Sequence, residues 1–301
     1  MHGFKDLIAP WDPNSFLEDV WNKRFLHLRG PKERVANWFT LNDFAKSVFK
    51  KEFGHADLLL ACDGNFSAKH LKHWWHSKDS WTDSPDLENL IEACAQEATV
   101  VYNKINAGSP QLRRFCGQLF QELGEHVSIN AYFSPPNALI GLGPHYDPQE
   151  IFILQIFGSK EWFLSPASEI FPVSKVDFSK ERFMPELEQA QLTLEAGDVL
   201  YLPRGTWHRP RANDKPSLHL TITITPRTAM DFTNWIQQEL VKIESCRRDL
   251  PLVTSWLGDN QFQDFSSEIE EIKTHINKIL EQDDLAKKFF MHGFLKTSIK
   301  S

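Results

Sequence analysis

Residues 141–164, GLGPHYDPQEIFILQIFGSKEWFL, constrain this chain more than any other stretch. The stretch opens with the turn formers Gly141, Gly143 and Pro144, which predict that His145 lies at the mouth of a strand rather than inside a helix. His145 and Asp147 are two positions apart, and in an extended chain such side chains project from the same face. An imidazole and a carboxylate aimed at one point are two candidate ligands of a metal ion.

An apolar run, residues 151–157, follows this pair and is interrupted only by Gln155. Gly158 then turns the chain, and Lys160 and Trp162 begin a second strand with their side chains on one face. This order predicts a β-hairpin with metal ligands at its entrance and a cation further along.

A third candidate ligand lies downstream, in residues 194–210, LEAGDVLYLPRGTWHRP. Gly197 and Asp198 form a turn signal, residues 199–202 a short strand, and residues 203–205 a second turn that delivers His208. Two histidines and one carboxylate match the facial ligand set of non-haem Fe(II) oxygenases. An H-x-D pair alone is a weak signal, but the second pattern on a later strand favours a metal site over two structural histidines.

These segments together resemble one family: residues 130–162, residues 196–210, and SLHLTIT at residues 217–223. They resemble the JmjC-type 2-oxoglutarate oxygenases, and most of all the ribosomal oxygenases, which hydroxylate residues of ribosomal proteins. The resemblance implies a mainly β fold with flanking helices, built on a double-stranded β-helix (jelly-roll, cupin) core and followed by a C-terminal helical segment.

The resemblance also implies roles for individual residues. His145, Asp147 and His208 are the expected catalytic iron ligands, and Lys160 the residue that receives the distal carboxylate of 2-oxoglutarate. The expected cofactors are Fe(II), 2-oxoglutarate as co-substrate, and O2. The role of Lys160 has independent physical support, because a buried carboxylate is costly unless it is paired with a cation.

Two further strands contribute candidates for the cofactor pocket. Residues 127–133 place Asn130 and Tyr132 on one face, which borders the pocket in the family; an ordinary barrel strand is the alternative. Residues 218–225 alternate between an apolar face and a polar face that includes His219 and Thr223. A polar barrel interior around a charged ligand explains this alternation, and Thr223 is a candidate for cofactor binding. His219 lacks the turn pattern that precedes His208, so we expect it beside the ligands rather than among them.

The rest of the chain is predicted to be helical at several points. The S-x-x-E pattern of Ser15 and Glu18 predicts a helix that begins there. Pro110–Leu123 reads as a helix that Gly124 ends. From residue 228 the pattern becomes helical, with apolar stripes at residues 232–240 and 269–279. We therefore predict a catalytic domain over residues 1–227 and a helical dimerisation segment over residues 228–301. The ribosomal oxygenases add a winged-helix domain, which this chain is expected to lack because it ends at Ser301.

Composition excludes several classes of protein. The net charge of −7 disfavours direct nucleic-acid binding and is compatible with a basic protein or peptide partner. Acidic residues at 177–188 and Glu195 are expected near the barrel mouth, where they would attract such a partner. No apolar run is long enough for a membrane span, and no signal peptide begins the chain. Four scattered cysteines indicate thiols of a reducing, cytoplasmic compartment.

The favoured function is hydroxylation of an amino-acid side chain, arginine or histidine, in a protein or peptide. The same chemistry on a small peptide or metabolite, and demethylation of N-methyl-lysine, are alternatives. A non-catalytic cupin that only binds a partner is a fourth interpretation, but such a module gains nothing from a metal triad and Lys160.

Overall fold

The computed structural model describes residues 1–36, 38–49, 57–62, 65–67, 71–77, 80–138, 143–173, 189–250 and 264–298. The chain divides into two compact units, Met1–Pro226 and Arg227–Ser301. The candidate metal ligands all lie in the first unit, and the second is helical throughout its described elements.

The first unit consists mainly of antiparallel β-strands. One sheet has the strand order β1-β11-β8-β13-β7-β6-β2-β3, a smaller sheet has the order β10-β9-β12, and β4 pairs with β5. The strands are β1 (Leu26–Leu28), β2 (Leu58–Cys62), β3 (Asn65–Ser67), β4 (Leu71–Ser77), β5 (Ser80–Pro85), β6 (Thr99–Tyr102), β7 (His126–Ser134), β8 (Glu150–Phe157), β9 (Ser159–Ser165), β10 (Ala190–Glu195), β11 (Val199–Leu202), β12 (Trp207–Ala212) and β13 (Ser217–Thr225).

The predicted hairpin across Gly158 is wrong. β8 pairs with β11 and β13, whereas β9 pairs with β10 and β12. Gly158 has a left-handed φ of +64°, and a Cβ at this position would lie 2.1 Å from the carbonyl oxygen of Pro216. The tight reversal at Gly158 therefore exists, but it carries the chain from the larger sheet to the smaller one instead of closing a hairpin.

The two sheets face each other across a shared interior. Part of this interior is an apolar cluster to which both sheets contribute: Ile151, Ile153, Trp162, Leu164, Leu194, Leu200 and Leu202. Strand β13 shows how the remainder is organised. Its apolar residues, such as Leu220 and Ile222, point into the main core, while His219 and Thr221 line a cavity between the sheets. The prediction that the polar face of this strand points into the barrel is confirmed.

Helices flank the sheets in the first unit. They are α1 (Phe4–Ile8), α2 (Pro13–Asp19), α3 (Glu33–Ala36), α4 (Leu41–Val48), α5 (Leu87–Ala95) and α6 (Pro110–Leu123), with a 3-10 turn at Ile105–Ala107. The main core buries side chains from this layer, including Phe4, Phe16 and Leu119, against the larger sheet. The predicted helix α6 is confirmed with both ends, and Gly124 closes it at φ +72°.

The predicted start of helix α2 is wrong by three residues. Asp12, not Ser15, is the N-cap, and its carboxylate accepts hydrogen bonds from the backbone N–H groups of Asn14 (3.0 Å) and Ser15 (3.3 Å). Pro13 occupies the first helical position, where its missing N–H and fixed φ suit the helix. An Asp-Pro start therefore prevails over the S-x-x-E pattern that follows it.

The second unit contains α7 (Ala229–Leu240), a 3-10 turn (Ser245–Arg247), α8 (Ser266–Leu280) and α9 (Leu285–Ser298). Thr228 and Asp231 form a reciprocal capping box at the start of α7. The rings of Phe232, Trp235 and Phe289 pack together with centroid separations of 5.2–5.9 Å. Among the described residues, no helix combines the length and apolar character that a membrane crossing requires.

Candidate metal centre

The backbone holds the three predicted ligands together. His145 and His208 form an isolated antiparallel bridge: the N–H of His145 donates to the carbonyl of His208 at 3.1 Å, and the N–H of His208 returns a bond of 2.8 Å. The carbonyl of Asp147 accepts a hydrogen bond of 2.9 Å from the N–H of Gly205, in the turn before β12. The short segment before β8 is thereby joined to the start of β12.

The side chains of these residues are arranged as metal ligands are. One ligand atom from each of His145, Asp147 and His208 lies within 4.8 Å of the other two. The Nδ1 of His145 donates to the carbonyl of Gly143 at 2.8 Å, and the Nδ1 of His208 donates to that of Thr206 at 3.1 Å. Both rings therefore present Nε2 to an ion, with their orientation fixed from behind. Two imidazole nitrogens and a carboxylate fit Fe(II).

The electrostatics of the triad favour a bound cation. Burial lowers the pKa of His208 well below its usual value, and the neighbouring His145 lowers it further. Desolvation raises the pKa of Asp147, although His145 opposes this effect. A neutral His208 is ready to coordinate a metal, and a divalent ion would offset the desolvation of the Asp147 carboxylate.

The cavity that contains the triad also contains Lys160, which is almost completely buried at 4% exposure. Its Nζ donates to Ser134 Oγ at 2.7 Å, and that hydroxyl lies 2.9 Å from Thr99 Oγ1. Within the described part of the chain no carboxylate pairs with Lys160, and burial lowers the pKa of this lysine to about 7. A desolvated amine that is hydrogen-bonded to a hydroxyl and pairs with no carboxylate of the described residues is a suitable receptor for a ligand carboxylate.

The other predicted pocket residues have different outcomes. Tyr132 lines the cavity, and its ring stacks on His219 at 4.9 Å and 7°. Asn130 and Thr223 are not among the lining residues. Asn130 Oδ1 accepts from the N–H of Lys104 at 2.9 Å, so that this side chain is used in holding a turn. Thr223 lies on the predicted face of β13. It is two positions beyond Thr221, however, and Thr221 is the last residue of that strand to line the cavity.

Sequence reasoning did not identify Thr99 and Ser134 at the site, and it placed Thr221 only on the polar, inward face of its strand. Trp162, predicted to share a strand face with Lys160, also lines the cavity. The full lining is Thr99, Tyr132, Ala138, His145, Asp147, Ile151, Ile153, Lys160, Trp162, His208, Pro210, His219 and Thr221.

The predicted acidic surface has two parts. Residues 177–188 lie outside the described residues, so the expectation for them stays a prediction. Glu195 pairs with Ser159 at one end of the smaller sheet, whereas His208 pairs with Leu164 at the other end. The expectation for Glu195 is therefore wrong, because it is the last of the six residues of β10 and the candidate metal ligands lie beside the other end of that strand.

Comparison with known proteins matches this architecture to a family. Residues 101–232 match the family model for the JmjC domain. Ribosomal oxygenase 1 of Rattus norvegicus is 37% identical over 233 residues, which cover 74% of this chain and 37% of that protein. The bifunctional lysine-specific demethylase and histidyl-hydroxylase NO66 of Drosophila yakuba is 30% identical over 206 residues, 59% of this chain and 29% of that protein. This chain spans about a third of the length of these curated relatives.

Solved structures share the fold. The crystal structure of the Escherichia coli ribosomal oxygenase YcfD superposes with a TM-score of 0.59 at 18% identity, covering 93% of this chain and 70% of that one. A YcfD complex with cobalt and 2-oxoglutarate gives a TM-score of 0.60 at 17% identity, with 93% and 70% covered. The predicted double-stranded β-helix with a C-terminal helical segment is confirmed, and the chain contains a JmjC domain.

Proposed function

We propose that this JmjC-domain chain is an Fe(II)- and 2-oxoglutarate-dependent oxygenase that hydroxylates an amino-acid side chain in a protein or peptide. The observation that carries the proposal is one cavity with two kinds of group. It holds a His145, Asp147 and His208 set whose ligand atoms lie within 4.8 Å of one another, and a buried lysine with no carboxylate partner among the described residues.

His145, Asp147 and His208 would hold the iron through three of its six positions and leave the others open. When bound, Fe(II) with O2 and 2-oxoglutarate supplies the oxidation, in which one oxygen atom enters a substrate C–H bond and the other enters succinate, with release of CO2. The chain's own contribution at the metal is orientation. The Nδ1 bonds to Gly143 and Thr206 fix the tautomer of each histidine and keep Nε2 directed at the ion.

Lys160 would bind the distal carboxylate of 2-oxoglutarate. Its ammonium keeps the bond to Ser134 and has two further N–H groups to donate. Because burial lowers the pKa of Lys160 to about 7, an arriving carboxylate favours the charged amine. Above pH 7, binding of 2-oxoglutarate should therefore be accompanied by uptake of a proton.

The substrate side chain that we favour is arginine or histidine in a basic segment. Support comes from the net charge of −7 and from the name of the Drosophila yakuba relative, which includes histidyl hydroxylation. The same name includes lysine demethylation, which makes N-methyl-lysine the second candidate. A panel of basic, neutral and acidic peptides that contain these residues would decide, with the mass increase of one oxygen atom or the loss of a methyl group as the readout. Preference for neutral or acidic peptides would favour a small peptide or metabolite substrate.

The activity is tested with the intact chain. Wild-type protein should bind one Co(II) per chain, measured by the visible absorption of the bound cobalt. In a separate assay with Fe(II) and O2 it should convert 2-oxoglutarate to succinate. Alanine at position 145, 147 or 208 should abolish both signals, whereas alanine at His126, exposed at the start of β7, should preserve them. Metal binding by wild type without succinate formation would favour the non-catalytic cupin.

The second unit is proposed to form a homodimer. Its described helices leave several large apolar side chains on the surface: Met230, Val241, Ile269, Leu280, Phe290 and Met291. Light scattering of the intact chain should give twice the chain mass. Met291→Glu should shift the equilibrium toward monomer, while Lys287→Glu, a charge change on the same helix, should not. A wild-type monomer at micromolar concentration would contradict the proposal.

A further inference from the structure

Two more polar groups in the wall of this cavity have no hydrogen-bond partner among the described residues. Trp162 and His219 line it with 2% and 3% of their surface exposed. Trp162 Nε1 and His219 Nδ1 are buried, and neither atom finds a hydrogen bond within the described residues. Most buried polar groups in native proteins are paired, because an unsatisfied one costs about 1–3 kcal/mol. Two such atoms in one cavity wall indicate a ligand that completes them.

Their neighbours indicate where this ligand would lie. Trp162 follows Lys160 by two residues on β9, so that both side chains project from one face. The centroid of the Trp162 ring is 6.0 Å from that of His208 and 5.3 Å from that of His219. Trp162 thus lies close to a candidate metal ligand and to His219, whose pKa is lowered by burial and then by Lys160.

The chemistry of a carboxylate matches these unpaired donors. A carboxylate has about four acceptor positions, and Lys160 alone does not fill them because one of its N–H groups is bound to Ser134. An indole N–H is a donor only, and a neutral imidazole donates from one nitrogen. Aromatic packing fixes both rings, since His219 is stacked on Tyr132 and meets Trp162 edge to face.

We propose that Trp162 and His219 bind the distal carboxylate of 2-oxoglutarate together with Lys160, through the indole N–H and one imidazole N–H. This inference rests on the proposed function and assigns two further cofactor-binding residues. It also explains why Trp162 Nε1 and His219 Nδ1 are buried without a hydrogen bond to any described residue: the bound co-substrate supplies the acceptors.

The test measures binding instead of turnover. Calorimetry under anaerobic conditions would titrate Co(II)-loaded protein with 2-oxoglutarate and with 2-oxobutanoate, which has the same chelating end but no distal carboxylate. Trp162→Phe keeps an aromatic ring and removes the N–H, and His219→Phe keeps the stacking and removes both nitrogens. Each should weaken 2-oxoglutarate binding about tenfold to a hundredfold, the range for hydrogen bonds to charged groups. Binding of 2-oxobutanoate should stay unchanged.

Trp38→Phe is the matched control, since Trp38 is a buried tryptophan of the main core, packed on Phe115 at 5.0 Å and outside this cavity. It should bind both acids as wild type does. If Trp162→Phe and His219→Phe bind 2-oxoglutarate as tightly as wild type, or lose both acids equally, the inference is refuted while the proposed function stands. A wild-type protein that does not bind 2-oxoglutarate would overturn both.

Discussion

Replacing Lys160 by methionine should stabilise the ligand-free protein even as it removes the proposed carboxylate receptor. The amine of Lys160 is buried beside a single hydroxyl, and burial lowers its pKa from 10.5 to about 7. An unfolded chain restores a lysine pKa near 10.4. Between these two values the unfolded chain binds a proton that the folded chain does not, so the wild-type free energy of unfolding rises with pH across this window.

The size of the effect follows from 1.36 kcal/mol per pKa unit. Desolvation of Lys160 destabilises the folded protein by about 3 kcal/mol at pH 8 and by about 1 kcal/mol at pH 10. Below pH 7 both states are protonated, and the cost levels off at about 5 kcal/mol. Methionine has a similar length and does not titrate. The stability advantage of Lys160→Met should therefore shrink by about 2 kcal/mol between pH 8 and pH 10.

Urea denaturation of metal-free protein, followed by tryptophan fluorescence at several pH values, measures this difference. Lys215→Met is the control, because Lys215 is exposed in the turn between β12 and β13; its effect should not vary with pH. An advantage for Lys160→Met that is absent, or constant from pH 8 to pH 10, would show that the amine is not desolvated. A higher free energy of unfolding for Lys160→Met that shrinks with rising pH would mean that the buried lysine destabilises the fold and is present for ligand binding.

Three further predictions concern other parts of the fold. Tyr201→Phe removes the hydroxyl that donates to the buried carboxylate of Glu150 and should lower the free energy of unfolding by about 1–3 kcal/mol in urea titrations. An unchanged midpoint would show that the 3.5 Å bond from the N–H of Arg204 satisfies this carboxylate without the tyrosine. Gly158→Ala should lower the free energy of unfolding by more than about 1 kcal/mol, because Gly158 has a left-handed φ and the Pro216 carbonyl lies close to it. Gly117→Ala should raise the free energy of unfolding by about 0.5–1 kcal/mol, because Gly117 lies in helix α6 with open space around it. Burial raises the pKa of the Cys116 thiol to about 12, so this thiol should not react with Ellman's reagent in the native protein. The reagent should therefore count the same number of thiols in native wild type and native Cys116→Ser. After denaturation it should count one thiol fewer in Cys116→Ser than in wild type.

The clustering of the candidate metal ligands could be predicted from sequence because the direction of each side chain is set locally. The two-residue spacing of His145 and Asp147 fixes their common direction, and the turn before β12 fixes that of His208. The hairpin failed for the opposite reason. A glycine reversal between two apolar strands looks the same whether the second strand pairs with the first or with a different sheet, and only the distant partners β10 and β12 decide which occurs.

The pocket residues show a second limit of the sequence. Alternation along a strand tells which side chains share a face, and Tyr132 and His219 were correctly placed by it. It does not tell how far along the strand a cavity extends, which is why Asn130 and Thr223 were expected in the lining. Ser134 and Thr99 come from different strands and meet only in the folded sheet, so nothing in their local sequence distinguishes them from ordinary strand hydroxyls.

The backbone bridge between His145 and His208 bears on metal exchange. Because two main-chain hydrogen bonds set the ligand spacing, an ion can enter or leave while the strands stay paired, and the chain need not refold around each new occupant. A prearranged set of two nitrogens and one oxygen ranks the divalent ions by their intrinsic affinities, in which Co²⁺, Ni²⁺, Cu²⁺ and Zn²⁺ all exceed Fe²⁺. The fraction of molecules that carry iron would then follow the ratio of available Fe²⁺ to its competing ions in the surrounding medium.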